Sequence, residues 1–326
     1  MRILANLIAT VLAIVVSMPA SAQDWPKRWV KVIVPFAPGG ATDLVARIVV
    51  KRMSELLGQP MPIENRPGAA GNIGVAAVAG SAPDGYTVLI GNVSTNALNP
   101  VMYARVAKVD PLKELEPVGG VAVVENVLVG TAAGTLPPNT FKEFIKYAQD
   151  NPGKLNYSSG GIGSYAHLDM LVLSRLAKLD MVHVPAVGGA GGSTNVQSGL
   201  VHTTFLNAAN AQTNLRSKLV KAFAVTGPQR LSQLPDVPTL KELGFPSVGT
   251  ANWAGMFVPK GTPQPVIKRL HQALTQALAS PDVLKAFEMN GITASPNLSP
   301  EDYGRFVQSE HDRFQQIVRE NNVPLL

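Results

Sequence analysis

The sequence predicts an α/β fold divided between two domains, with sheets that are mostly parallel. Three observations lead there. Short apolar runs alternate with amphipathic stretches of helical period, the pattern of strand–helix–strand units. The turns between them are built from Pro, Gly and Asn. The chain has 326 residues and no cysteine, so two domains of ordinary size would be held by apolar cores rather than by disulfides.

Along the chain, residues 1–22 read as a secretion signal. Met1-Arg2 gives a positive start, residues 3–16 are apolar apart from Asn6 and Thr10, Ser17-Met18-Pro19 breaks the run, and Ala20-Ser21-Ala22 has the small-x-small form of a peptidase site. The run falls short of the roughly 20 residues a permanent membrane helix needs. The working protein is therefore expected to start near Gln23, in the periplasm of a Gram-negative cell. Residues 121–133 approach membrane character next, but Glu125 and Asn126 interrupt them.

Residues 30–34, Val-Lys-Val-Ile-Val, are expected to form a buried strand. Pro35-Phe36-Ala37-Pro38-Gly39-Gly40 is a turn, after which Thr42 can N-cap a helix. Its Leu44, Val45, Ile48, Val49, Met53, Leu56 and Leu57 share one face, and Gly58 ends it. Pro83-Asp84-Gly85-Tyr86 turns the chain into a strand over residues 87–91. Thr140 and Glu143 form a capping box for a helix to about Asp150, which Asn151-Pro152-Gly153 stops. Residues 155–158 lead into a Gly-rich loop and another helix, and Ser280-Pro281 and Ser299-Pro300 each open a helix. Residues 100–117 and 225–238 are the best segments for crossings between domains.

Charge decides little. There are 28 basic and 22 acidic residues, a net charge of +6, but they are scattered. A nucleic-acid binder would need a concentrated basic stripe with interleaved aromatics. His167, His183, His202, His271 and His311 have no metal-ligand spacing, and no Gly-x-Ser-x-Gly elbow or cysteine nucleophile occurs. No metal or cofactor is expected. His271 and His311 read as solvated helix faces, and Trp25, Trp29 and Trp253 as packing residues.

Three strand-to-helix loops share one design: residues 38–43, 158–164 and 185–193, rich in Gly with hydroxyls at Thr42, Ser158, Ser164 and Ser193. Small residues let a ligand approach backbone N–H groups, and a following helix start adds partial positive charge, so an anion is the expected guest. Gly161-x-Gly163-x-x-Ala166 imitates a dinucleotide fingerprint, yet Pro185-Ala186 stands where the ribose-binding acid belongs. Three readings stay open: a binding protein, an exported enzyme using Ser164 with His167, and a ligand-presenting sensor for a membrane receptor.

Several motifs in one order resemble the substrate-binding proteins of tripartite tricarboxylate transporters, the Bug family. They are Trp25-Pro26, Val34-Pro35-Phe36-Ala37-Pro38-Gly39-Gly40, Ile63-Glu64-Asn65-Arg66-Pro67-Gly68, Pro83-Asp84-Gly85-Tyr86-Thr87, Ala97-Leu98-Asn99-Pro100, Gly161-Ile162-Gly163-Ser164 with His167-Leu168, and Leu234-Pro235-Asp236-Val237-Pro238-Thr239. The resemblance implies a Venus-flytrap, type II-like periplasmic-binding-protein architecture with a ligand cleft between lobes. Lobe 1 would be residues 23–122 and 226–326, and lobe 2 residues 123–225. It implies a monomer, not an enzyme, that binds a small organic carboxylate and serves membrane permease subunits. By position, lobe 1 would supply Phe36, Ala37, Gly39, Gly40, Thr42 and Asp43, with Ser94, Thr95 and Asn96. Lobe 2 would supply Ser158, Gly163, Ser164 and His167, with Ala186, Val187 and Gly188. The family often has an aromatic and a basic residue where this chain has Ala186 and Val187. That departure points to a roomier, more apolar site, suited to an aromatic or otherwise apolar-bodied carboxylate.

Overall fold

The computed structural model describes residues 25–134, 136–186 and 188–326, so the expected export signal and Val187 lie outside the described residues. The chain forms two sheets. The first contains β1 (Lys31–Val34), β2 (Ile63–Asn65), β3 (Thr87–Asn92), β4 (Leu115–Val124), β10 (Asn252–Pro259) and β11 (Ile292–Ala294), in the order β11-β4-β10-β3-β1-β2. The second contains β5 (Asn126–Thr131), β6 (Leu155–Ser159), β7 (Met181–Pro185), β8 (Thr203–Asn207) and β9 (Val220–Val225), in the order β7-β6-β8-β5-β9.

Both sheets are mixed, which corrects the expectation of mostly parallel strands. β1 runs parallel to β2 and β3, and β6 to β7 and β8. β10 is antiparallel to β3 and β4, and β5 to β8 and β9. The reason is the crossings. β5 and β10 each enter a sheet from the other lobe and insert between strands that the local strand–helix units placed there. Each sheet thereby acquires the same pattern: two parallel neighbours, then an antiparallel visitor.

The longer helices are α1 (Ala41–Leu57), α2 (Asn72–Ala79), α3 (Phe141–Asp150), α4 (Tyr165–Leu176), α5 (Gly188–Gln197), α6 (Ala208–Arg216), α7 (Gln264–Leu278), α8 (Pro281–Met289) and α9 (Pro300–Glu320). Local signals behave as the sequence suggests at several ends. Gly58 is left-handed (φ 66°) and its N–H donates to the Glu55 carbonyl. Thr140 accepts from the Glu143 N–H at 3.2 Å, and Ser299 from the Asp302 N–H at 3.1 Å. Gly85 (φ +79°) has no room for a side chain, because a Cβ would lie 2.3 Å from Val266.

Other expectations need correcting. Gly40, not Thr42, occupies the N-cap of α1, and Thr42 is buried inside the first turn. Residues 100–117 stay with the first sheet, where Pro117 pairs with Phe257. His311 is buried against the Ala97 carbonyl (3.1 Å) and half-buried His271 against that of Val118 (2.9 Å), so neither is a solvated face. Trp29 is 46% exposed, whereas Trp253 is buried and donates to Glu310 at 3.1 Å.

The lobes are stitched at their crossings. Glu125 alone separates β4 from β5. Asn126 N–H donates to Thr226 Oγ1 and its carbonyl accepts from Thr226 N–H, both at 2.9 Å, which ties the outgoing crossing to the returning one. Just before β10, Thr250 donates through N–H (2.9 Å) and Oγ1 (2.7 Å) to the buried carboxylate of Asp169 on α4. Thr250→Val should cost about 1.5–3 kcal/mol, the worth of one hydrogen bond to a buried charge. Urea unfolding at pH 7.5 checks this, with a fall in midpoint and an unchanged slope expected.

Candidate functional site

Strands β1, β3, β6, β7 and β8 end where the two lobes face each other, and the helices that follow β1, β6, β7 and β8 begin there. A small cavity of about 50 Å³ lies between them. From lobe 1 it is lined by Phe36, Gly40, Ala41, Thr42, Asn92 and Ser94, with Asn252 from the returning strand β10. From lobe 2 it is lined by Ser159, Gly160, Ser164, Tyr165, Ala166, Gly188, Gly189 and Gly192, and by residues 204–207 with Asn210. None of these residues carries a formal charge.

Four helix N-termini meet at this cavity: α1 at Gly40-Ala41-Thr42, α4 at Ser164-Tyr165-Ala166, α5 at Gly188-Gly189, and α6 at Asn207 with Asn210. Each start brings a partial positive charge, worth on the order of 0.5–2 kcal/mol to a nearby anion in a partly buried setting, although the N–H groups of Tyr165, Gly188, Ala208 and Asn210 already have acceptors. The hydroxyls and carboxamides around them can donate or accept. Asn92 Nδ2 donates to Thr42 Oγ1 (3.1 Å) while its Oδ1 accepts from Thr95 N–H (3.2 Å), which fixes the amide orientation.

The sequence-derived candidates fall into three groups. Phe36, Gly40, Thr42, Ser94, Ser164 and Gly188 line the cavity. Ala37 and Ala186 line an adjoining chamber of about 300 Å³, together with Phe36, Gly160 and Gly188 of the first cavity. The chamber's other walls are residues 67–71, Tyr103, Gly161, Ile162 and Pro185, and it too lacks a charged side chain.

The rest of the described candidates stand behind the lining. Gly39 (φ +83°) donates its N–H to Asp43 at 2.9 Å. Burial alone would raise the Asp43 carboxyl, but bonds from Arg47, Gly39 and Asn65 outweigh it and hold the group below the usual carboxylate range. Asp43 is thus paired with Arg47 (2.9 Å) and braces the loop. Thr95 Oγ1 donates toward Asn96 Oδ1 (2.6 Å), and both are buried under β3. Ser158 donates to the Val184 carbonyl within the sheet (2.9 Å), whereas its neighbour Ser159 reaches the cavity. Alternation along a strand separates the two. Gly163 (φ +80°) donates to His167 Nδ1 at 3.3 Å, and His167 is buried rather than lining the cavity. Ser164 Oγ accepts from the His167 backbone N–H (3.4 Å), a helix cap.

Sequence reasoning missed Asn92, Tyr165, Asn252 and the wall of residues 204–207 with Asn210, and within the 158–164 loop it singled out Ser158 rather than Ser159. Only that wall had a local signal: Asn207 caps α6 by accepting from the Asn210 N–H at 2.9 Å. Contacts across the cleft complete the site. Tyr165 N–H donates to Ser94 Oγ (3.1 Å), and Tyr103 Oη donates to the Ile162 carbonyl (2.6 Å). A Cβ on Gly163 would lie 2.7 Å from Tyr103, so glycine there lets the ring approach.

Comparisons with known proteins fit this geometry. Residues 45–323 match the sequence model of the tripartite tricarboxylate transporter family receptor. A UPF0065 protein of Bordetella pertussis is 36% identical over 314 residues, which cover 96% of this chain and 95% of that protein. The solved structure of Rhodopseudomonas palustris Rpa4515 with adipate superposes with a TM-score of 0.87 at 32% identity, covering 93% of this chain and all of that one. MatC of the same organism, with bound malate, gives 0.84 at 33% identity, covering 90% of this chain and all of that one. Among the described residues no helix is long and apolar enough to cross a membrane.

Burial, and then the neighbouring His183, push His167 down to about 4. The unfolded histidine titrates near 6.5, so between pH 6.5 and 4 the unfolded chain holds a proton that the folded one refuses. The stabilisation is complete above pH 6.5 and fades as pH falls through 4, by about 3 kcal/mol in all. Asp169, raised to about 6 by burial, works in the opposite sense over part of that range. Chemical denaturation from pH 7 to 4.5 should therefore show His167→Gln losing less stability than the parent on acidification. Parallel profiles would assign the acid sensitivity to other groups.

Proposed function

The chain belongs to the tripartite tricarboxylate transporter receptor family, and we propose that it is a periplasmic solute-binding protein for a small organic carboxylate with an apolar body. The observation that carries this reading is the convergence of four helix N-termini on a cavity without a charged side chain. Such a site prefers an anion but has no cation to neutralise several charges at once. One carboxylate satisfies it. Backbone N–H groups and the hydroxyls of Thr42, Ser94 and Ser164 would receive its oxygens, as charge-assisted hydrogen bonds.

The apolar chamber beside Ala37 and Ala186 gives the ligand's body a place. It offers no charged side chain for a second acid group, and its tyrosine hydroxyl is occupied by the Ile162 carbonyl. Related structures hold adipate and malate, which supports carboxylates as the class. The signal-like residues 1–22 and the family support action in the periplasm, with delivery to the permease subunits of a tripartite tricarboxylate-type transporter. Closure of the lobes would exclude water around the carboxylate and strengthen each bond.

A thermal-shift panel of aromatic monocarboxylates, adipate, malate and citrate tests this directly. A ligand at about 100 times its Kd adds roughly 2.7 kcal/mol, or several degrees in Tm. Benzoate-like acids should shift the protein more than citrate does; the reverse order would remove the apolar-body assignment. Tyr103→Phe should weaken the best ligand about threefold to tenfold, because one hydrogen bond across the cleft is lost. Unchanged affinity would separate that bridge from closure.

A further inference from the structure

We infer that His183 and His167 form a stacked pair that holds the loop from Gly160 to Ser164 in shape, with His183 acting as a positioning residue through Ser159. The inference builds on reading the cavity as the solute site, since it explains how one wall of that cavity keeps its form. Neither ring lines the cavity. They stack 4.2 Å apart, and Tyr157 stacks on His183 at 4.8 Å.

Each ring grips one end of the loop. His167 Nδ1 accepts from the Gly163 N–H at 3.3 Å, so its ring proton sits on Nε2. His183 Nε2 lies 2.8 Å from Ser159 Oγ. The serine hydroxyl has one proton to give. Gly161 N–H donates to Oγ (3.2 Å), and we assign the hydroxyl proton to the Gly161 carbonyl (3.0 Å), which leaves the ring to donate the His183 contact through Nε2–H. In that assignment Ser159 is not prepared as a nucleophile, because its proton points to a carbonyl and the ring nitrogen beside it is a donor.

The consequence reaches beyond Gly161. The Ser159 carbonyl accepts from Ala186 N–H (3.1 Å) and the Gly160 carbonyl from Gly188 N–H (3.3 Å). What fixes residues 159–161 also fixes the chain where it enters α5, while the far end of the same loop enters α4. The pair thus sets two of the four helix starts relative to one another. Gly161 (φ +124°) sits at the centre, in a conformation that only glycine takes without strain.

The test compares His183→Phe, which keeps a stacking ring but no donor, with His183→Gln, which returns a side-chain N–H, and with Ser159→Ala. The first readout needs no ligand: backbone amide exchange at Gly161 and Gly163 by NMR. The second is calorimetric affinity for adipate or benzoate, whichever gives the larger melting shift. His183→Phe and Ser159→Ala should each speed Gly161 exchange about tenfold or more and weaken binding about fivefold to tenfold, consistent with one hydrogen bond or slightly more. His183→Gln should stay within about twofold in both, and the double variant should be no worse than Ser159→Ala, because the two act through one bond. Parent-like exchange in His183→Phe, or strictly additive effects, would overturn the inference. If His183→Phe does not fold, the glutamine variant against Ser159→Ala decides it. If neither acid binds the parent protein, the carboxylate reading fails, and the exchange rates still judge the pair.

Discussion

Four helix starts facing a cavity without a charged side chain are the constraint on which the rest of this molecule depends. Partial positive charges brought together in a confined space repel one another. The arrangement is comfortable only with water or an anion among them. Everything that holds the lobes in register serves to maintain this meeting: the Asn126–Thr226 tie, the Asp169–Thr250 bond, and the bridges from Tyr103 and Tyr165. Recognition through backbone dipoles also explains why the Asp43 carboxylate, next to the lining residue Thr42, is tolerated. It is neutralised by Arg47 and directed into its own loop, away from the guest.

Sheet topology explains how the starts are aimed. In each lobe parallel strands end at the cleft, and the helices that follow β1, β6, β7 and β8 begin there. The antiparallel visitor strand gives each sheet a member from the opposite chain segment. Asn252 comes to the cavity on that visitor, and residues 204–207 on the strand paired with the other one. One loop lies between the two lobes' demands: Gly160 to Ser164 is gripped by histidines beneath and touched by Tyr103 from across the cleft. Ligand contact, loop shape and lobe contact therefore share a handful of atoms.

The alternation of strands and helices, the caps at Gly58, Thr140 and Ser299, and the glycine loops were legible in the sequence because each is decided within a few residues. What was hidden is non-local. Asn92, Asn252 and the wall of residues 204–207 with Asn210 reach the cavity through strand order, which periodicity does not encode. Ser158 and Ser159 differ only by strand parity, and a one-residue shift in where β6 ends reverses which of them faces the cleft. Thr42 resembled a cap because its spacing was right, but Gly40 already satisfies that role and frees the threonine to hold Asn92. His311 and His271 lie on helices whose polar positions turn inward to meet the Ala97 and Val118 carbonyls, contacts that exist only once those helices are packed.

The central claim is that neutral groups, aimed by helix starts, select a carboxylate. Titration calorimetry of benzoate and of its uncharged isostere benzamide, at pH 6.5 and pH 8.5, tests it most directly. No acidic, basic or histidine side chain lines the cavity, and burial pushes the Tyr165 hydroxyl far above this range. The acid should therefore bind equally at both pH values and about 100-fold or more tightly than the amide, a difference of about 2.7 kcal/mol. Equal affinity for acid and amide, or no binding of the acid at all, would contradict it.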